Sequence, residues 1–349
     1  MLIVRRLFSF VAVVLILSAC SSGSGGIKKG EEVVIGFYNL ENLFDTIDAP
    51  DVRDEEFTPD GRKAWTQARY KAKLQHMAQV ISSLSDTVGQ EYPAIVGLCE
   101  VENRTVVEDL VKEKSLAGGD YQIVHQDSPD RRGIDVALIY RSDLFNPETI
   151  KAIPLMIYDA EDSSRIYTRD QLLVSGLLGN EKIHLLVNHW PSRYGGEERS
   201  RPLRKEAALL SRSIVDSLLA LDEGAKVLVM GDLNDDPHNV SVKDVLRGRT
   251  RSELTGDDVY NPFARKHQAG EGTLCYRGKW NLFDQIILTQ GLLGSEQGLR
   301  YEDALVYSYA HLKVPEGKYK GYPFRTYVGN RHDGGYSDHF PVSVVLKMY

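Results

Sequence analysis

Cysteine is scarce in this chain: three residues in 349, at positions 20, 99 and 275. A small fold stapled by disulfides is thereby excluded, because two thiols far apart beyond Cys20 do not make a framework. Cys99, inside an apolar run, reads as a small buried hydrophobe. Clustered His and Cys at zinc-ligand spacing are missing. So is a Gly-x-Ser-x-Gly elbow, and a serine esterase would need a nucleophile that the sequence does not display. No internal repeat of about 20 to 50 residues is visible, which excludes solenoids and propellers. Beyond the N-terminus nothing approaches the roughly twenty apolar residues of a membrane span. Positive charge is also short, since 42 Lys and Arg stand against 49 Asp and Glu for a formal charge of -7. A protein that coats nucleic acid is usually basic, so tight nonspecific DNA binding is not expected. A nucleic acid held transiently as substrate still fits.

What is present begins with a targeting signal. Arg5 and Arg6 precede an almost unbroken apolar run from Leu7 to Leu17, which has the length of a signal-peptide core and is short for a span. Leu17-Ser18-Ala19-Cys20 resembles the bacterial lipobox. The resemblance implies a signal peptide over residues 1–19, lipidation of Cys20, and a membrane-anchored lipoprotein of the bacterial cell envelope, periplasmic or at the cell surface. Residues 20–32 have the composition of a flexible tether, and the folded domain is expected over residues 33–349. Removing the two positive charges Arg5 and Arg6 from -7 leaves -9 for the mature chain.

The remaining pattern is that of a layered α/β domain. Val33–Tyr38 is β-rich, and Ala94–Cys99 is short and fully apolar. Tyr70, Leu74, Met77, Ile81 and Leu84 recur at spacings of three and four, which predicts a helix over Gln67–Leu84. Further strands are expected over Ile134–Tyr140, Leu172–Leu178, Ile183–Val187, Lys226–Gly231, Leu282–Leu288 and Phe340–Leu346, with a charged helix over Leu203–Leu221. Ser308–Tyr336 reads as irregular. Several strands follow one another with no helix between them, so the sheets contain antiparallel pairs.

Polar residues cluster at the ends of these strands: Asn39, Glu100, Asn188 with His189, Asp232 with Asn234, Asp284, and Asp338 with His339. Each alone reads as a turn former, a cap or an ion-pair partner. Their joint identity and order change that reading. Tyr38-Asn39-Leu40, Gly97-Leu98-Cys99-Glu100, Asn188-His189-Trp190-Pro191-Ser192, Gly231-Asp232-Leu233-Asn234, Phe283-Asp284-Gln285 and Ser337-Asp338-His339 follow the order of the DNase I-like endonuclease/exonuclease/phosphatase superfamily. The chain resembles that superfamily from about Val33 to Leu346.

Phosphate ester hydrolysis explains these residue types. A divalent ion offsets charge on the nonbridging oxygens, and a water must lose a proton. Hard oxygen donors suit Mg²⁺ or Mn²⁺ better than Zn²⁺. The resemblance implies Glu100 as principal metal ligand with Asn39 and Asp338 close by; Asn39 either orients the carboxylate or lends its amide oxygen. It implies Asp232 as the residue that positions the attacking water and Asn234 as a contact to the scissile phosphate. His339 becomes the acid/base histidine, oriented by Asp284, and His189 a second active-site histidine that serves the leaving oxygen, with Asp135 as its candidate carboxylate. Ser192 and Arg193 are expected to contact substrate, and Arg277 and Lys279 are further candidate phosphate contacts. Asp235, Asp236 and Pro237 read as structural.

The resemblance further implies a four-layered α/β sandwich of two facing mixed sheets flanked by helices. Site residues running from Asn39 to His339 argue for one domain around one site, and the chain is expected as a monomer. The expected function is divalent-metal-dependent hydrolysis by activated water, without a covalent intermediate. A nuclease acting transiently on DNA or RNA ranks first, ahead of a sphingomyelinase-like phospholipase and an inositol or sugar phosphate phosphatase. No apolar hairpin for membrane insertion is evident, and basic residues around the His189 motif are few. A catalytically dead surface binding module would have lost the Glu, the Gly-Asp-x-Asn or the final His, and none is missing.

Overall fold

The computed structural model describes residues 26–159, 161–294 and 297–349, so the expected signal peptide and lipidated Cys20 lie outside the described residues. The chain packs earlier than the expected start at Val33. Ile27 is buried in the core, and the Gly30 amide donates to the Met348 carbonyl at 2.8 Å. The segment expected as tether is therefore shorter than residues 20–32, because Ile27 finds apolar surface to cover.

Two sheets carry the fold. The first orders its strands Leu299–Val306, Val342–Met348, Glu32–Leu43, Ile95–Val101, Asp135–Arg141 and Tyr121–His125. The second runs Gly248–Arg249, Val259–Tyr260, Asp284–Leu288, Lys226–Asp232, Glu181–His189, Gln171–Leu178 and Phe145–Ile153. Both are mixed: Glu32–Leu43 is parallel to Ile95–Val101 and antiparallel to Val342–Met348, and Lys226–Asp232 is parallel to Glu181–His189 and antiparallel to Asp284–Leu288.

Side-chain alternation builds the layers. In the first strand Val33, Ile35 and Phe37 enter the core between the sheets, where Leu185, Val187, Met230 and Ile286 meet them from the second sheet. Val34 and Tyr38 turn the other way, onto Met77 and Ile81 of the helix Gln67–Ser82. The outer face of the second sheet, with Leu186, Val229 and Ile287, is covered by the helix Glu197–Leu221 through Ala207, Ala208 and Val215. The result is the expected four-layered sandwich, in which each fully buried Leu, Ile or Val contributes about 1.5–3 kcal/mol. Glycine sets the sheet separation just behind the site: a Cβ on Gly97 would lie 2.6 Å from the Met230 sulfur. Cys99 is buried as expected, and both it and Cys275 are free thiols. Among the described residues no helix is long and apolar enough to cross a membrane.

Three departures from the sequence reading matter. The first strand does not end at Tyr38 but continues to Leu43, with Asn39 inside it at a register shift. The edge strands Phe145–Ile153 and Leu299–Val306 were not expected; both are broken by bulges and largely solvated, so neither shows a clean alternation. The charged helix starts at Glu197, ahead of Leu203, with Glu197 and Glu198 in its first turn, where carboxylates complement the helix dipole.

Candidate active site

The expected residues meet because three adjacent strands of the second sheet share one rung. Asp232 lies opposite His189 on the parallel side and opposite Asp284 on the antiparallel side. Residues directly opposite project from the same face, so all three side chains point toward the first sheet. A Cβ on Gly231 would fall 2.3 Å from the Asn188 carbonyl, which is why the residue before Asp232 is glycine. From the first sheet come Asn39 and Glu100, on the neighbouring strands Glu32–Leu43 and Ile95–Val101. Glu100 has φ 59°, and Glu41, Asn42 and Asn234 also take left-handed conformations. Such strain in non-glycine residues gathers at sites where surrounding structure imposes it.

A hydrogen-bonded web joins the two sheets. The Asn39 amide nitrogen donates to Asp232 Oδ2 at 3.0 Å and to Glu100 Oε1 at 3.4 Å, while its oxygen accepts from the Glu41 amide at 2.9 Å. The Asn42 amide donates to Glu100 Oε2 at 2.9 Å. In this geometry Asn39 orients the two carboxylates through its nitrogen, while its oxygen accepts from the Glu41 amide.

The two histidines sit in opposite electrostatic settings. His339 Nδ1 is 2.7 Å from Asp284 Oδ2, so Nδ1 carries the proton and Nε2 faces Asp232 Oδ2 at 3.9 Å. Burial opposes charge on this ring, but the carboxylates of Asp284 and Asp232 outweigh it and raise its pKa well above the usual imidazole value. His189 Nε2 lies 3.7 Å from Asp232 Oδ2 and 3.8 Å from Glu100 Oε1. Its Nδ1 is buried without a hydrogen-bond partner. Burial, reinforced by the charges of Arg169 and Arg132, holds it well below the usual value. The two rings are thus driven in opposite directions, His189 toward the neutral form and His339 toward the charged one. Asp232, between them, is pushed by burial up to about 7, with His339 opposing and Asp284 reinforcing the shift.

Other expected residues take different tasks. Asp338 is beside His339, its Oδ1 4.0 Å from Nε2, but its Oδ2 accepts from Arg325 at 2.6 Å. Asn234 donates its amide to the Trp190 carbonyl at 2.9 Å, and its backbone N–H donates to Asp232 Oδ1 at 2.9 Å, so it braces the aspartate. Ser192 is exposed at the rim. Arg193, expected as a substrate contact, is engaged within the fold: it donates to the Asn234 carbonyl, Glu197, Asp235 and Asn239, and its guanidinium lies 4.5 Å from the Phe283 ring. Asp135 does not hold His189. It accepts from the Ser128 amide and hydroxyl and meets His125 Nε2 at 3.2 Å.

Two groups escaped the sequence reading. Arg169 donates to the carbonyls of His189 at 3.1 Å and Trp190 at 2.7 Å and pairs with Asp130 at 2.9 Å, clamping the end of the His189 strand. Its loop position carries no periodic signal. Lys73 is buried, donating to Thr326 Oγ1 and the Tyr336 carbonyl at 2.6 Å each and lying 3.9 Å from Glu41. This one was detectable, since Lys73 falls on the apolar stripe between Tyr70 and Met77. Breaking a buried pair costs about 3–5 kcal/mol, so Lys73→Met is expected to lower the melting temperature measurably in a calorimetric scan and to loosen the segment leading to Ser337-Asp338-His339.

The residues fit a hard divalent cation. Glu100, Asp232, Asp284 and Asp338 crowd around two imidazoles, and Asp284 Oδ1 is buried without a partner. Donor atoms of Asp232, Asp284 and His339 lie within 4.8 Å of one another. The 2.7 Å bond occupies His339 Nδ1, and Glu100, which accepts from Asn39 and the Asn42 amide, is partly open to solvent.

The family model described as Endonuclease/Exonuclease/phosphatase family matches residues 34–348. Among solved structures, the endonuclease/exonuclease/phosphatase from Bacteroides vulgatus is similar over 91% of this chain and 100% of its own, at 14% identity and a TM-score of 0.56. TDP2 of D. rerio complexed with single strand DNA product is similar over 91% and 99%, at 15% identity and a TM-score of 0.52. The mannosyl-6-phosphatase of Bacteroides thetaiotaomicron matches over 90% and 99%, at 16% identity and a TM-score of 0.52. At such identities the likeness is one of fold. No curated protein matches the chain.

Proposed function

Because this chain belongs to the Endonuclease/Exonuclease/phosphatase family, we propose that it is a phosphoesterase dependent on Mg²⁺ or Mn²⁺ that cleaves phosphodiester bonds of a nucleic acid with an activated water. One observation carries this reading: Asp232 stands between His189 and His339, 3.7 and 3.9 Å from its Oδ2, with Glu100 beside them.

Glu100 would hold the ion, which supplies Lewis-acid stabilisation of charge on the phosphoryl oxygens. Asn39 and the Asn42 amide fix that carboxylate in place. Asp232, with a proton affinity near neutrality, takes the proton of the attacking water; a general base works best when its pKa lies near the operating pH. His339, held charged by Asp284, offers an N–H to the phosphoryl and leaving oxygens. Burial disfavours the charged form of His189, so in this proposal it serves as a contact for substrate or water in place of the expected leaving-group donor. His189→Ala is therefore expected to lose the same factor on bis-(p-nitrophenyl) phosphate as on a substrate with a poor leaving group. Unequal losses would restore the donor role.

The substrate class is tested by a panel of plasmid DNA, RNA, sphingomyelin, inositol and sugar phosphates and bis-(p-nitrophenyl) phosphate, each with Mg²⁺. Hydrolysis of nucleic acid supports the proposal; turnover confined to lipid or to phosphomonoesters overturns the nuclease assignment. We also propose that the N-terminal segment anchors the enzyme to the bacterial cell envelope through Cys20. Cys20→Ala should then release it from the membrane fraction, and a wild type that is wholly soluble would contradict the anchor.

A further inference from the structure

A cleft of about 860 Å³ opens beside the reacting centre. Arg325 lines it and bonds Asp338, whose other oxygen is 4.0 Å from His339 Nε2. Arg325 thus ties the wall of the cleft, through Asp338, to the neighbourhood of His339.

Two tyrosines on its wall stand out of the surface, Tyr276 at 62% and Tyr319 at 43% exposure. Each has a cation over its ring: Arg277 at 5.1 Å and Lys318 at 5.4 Å. Other cations of the cleft are neutralised, Arg325 by Asp338 and Arg331 by Asp333. Among the described residues Arg277 and Lys318 have no carboxylate partner.

The Tyr276-Arg277 pair is not displayed on a loose loop. Leu274–Tyr276 and Lys279–Asn281 form a hairpin in which Tyr276 opposes Lys279, and Arg277 and Gly278 turn it with φ 51° and 84°. Trp280 of the hairpin stacks on Phe340 with centroids 5.9 Å apart, so the tip is tied to the residue after His339. On the His189 side, Tyr167 lies between Arg165 at 4.8 Å and Arg131 at 5.6 Å. Flat faces with cations thus stand on the cleft wall and beside Arg165, in a protein whose overall charge is -7.

Exposed aromatic faces beside unpaired cations are the means by which proteins hold unpaired bases and their phosphates. We propose that this cleft is the track for a single-stranded nucleic-acid segment, with bases stacked on Tyr276 and Tyr319 and phosphates met by Arg277 and Lys318; the proposal rests on the phosphodiesterase reading above. A duplex would keep its base faces covered, so the track selects single strands or frayed ends.

The test uses the whole enzyme in two measurements. Anisotropy of a fluorescein-labelled twelve-residue oligothymidylate, titrated in EDTA, reads binding without turnover. Tyr276→Ala and the double variant Arg277→Ala/Lys318→Ala should each weaken it roughly 5- to 150-fold, the range for loss of one stacked base. With Mg²⁺, the ratio of kcat/KM on the oligonucleotide to that on bis-(p-nitrophenyl) phosphate should fall by a similar factor. Unaltered binding and an unaltered ratio would overturn the track while leaving the phosphodiesterase reading intact. Weakened oligonucleotide binding in an enzyme that hydrolyses no phosphodiester would instead sink that reading and keep the track. Variants that weaken mannose 6-phosphate turnover and leave the oligonucleotide untouched would assign the cleft to sugar phosphates and overturn the proposal.

Discussion

His339→Ala is expected to lose about 10² to 10⁴ of kcat, the usual contribution of a positioned acid or base, while its circular dichroism and melting curve stay close to wild type. The magnitude follows from placement. The ring is buried against two carboxylates, 2.7 Å from Asp284 and 3.9 Å from Asp232, and is kept charged by them. Asp284→Asn removes the larger of the two attractions and keeps the shape. Its signature is a shift in pH dependence. In wild type the charged form of His339 persists well above the ordinary imidazole pKa, so the alkaline limb of activity, where that proton is lost, lies above that value, while the acid limb belongs to Asp232. With Asp284 neutralised the proton leaves earlier, and the alkaline limb moves to lower pH. An alkaline limb that stays in place in Asp284→Asn would remove the coupling on which this role depends, and full activity in His339→Ala would remove the role itself.

Glu100→Gln is expected to lower kcat/KM on phosphodiesters by roughly 10³-fold, since a metal contributes several kcal/mol of charge stabilisation and each 1.36 kcal/mol is tenfold. The amide keeps the shape of the side chain, and its single oxygen can still accept from the Asn42 amide. What it removes is the charge that draws the ion. Calorimetric titration of Mn²⁺ should accordingly show a site in wild type and a loss of heat in the variant. A variant that binds Mn²⁺ as tightly as wild type would move the metal to Asp232 or Asp338.

The core strands were legible because they are buried on both faces and so read as unbroken apolar runs: Ala94–Cys99 and Lys226–Gly231 lie almost where they were expected. Phe145–Ile153 and Leu299–Val306 were not, since an edge strand with one wet face and a bulge keeps no period. At the site, sequence order was enough to bring Asn39, Glu100, His189, Asp232, Asp284 and His339 together. It did not reveal what each group does. The identity of Asn39 leaves both ends of its amide open, and only the Glu41 N–H on its oxygen fixes the nitrogen toward the carboxylates. Likewise His189 reads as an acid/base residue, and only the structure shows that Arg169 and the depth of burial disfavour its charged form. Arg193 sits beside the right motif, yet its partners arrive from the first turn of the helix Glu197–Leu221 and, as Asp235 and Asn239, from the segment after Asp232, which the sequence read only as structural or not at all. Long-range electrostatics decides protonation, and local patterns do not carry it.

Metal-dependent attack of water on a phosphodiester is the centre of this account, and the release of p-nitrophenol from bis-(p-nitrophenyl) phosphate by the purified chain tests it most directly. Turnover is predicted in Mg²⁺ or Mn²⁺, with abolition by EDTA and recovery when the ion is added back in excess. A rate indifferent to EDTA, or no hydrolysis with any divalent ion, would contradict it.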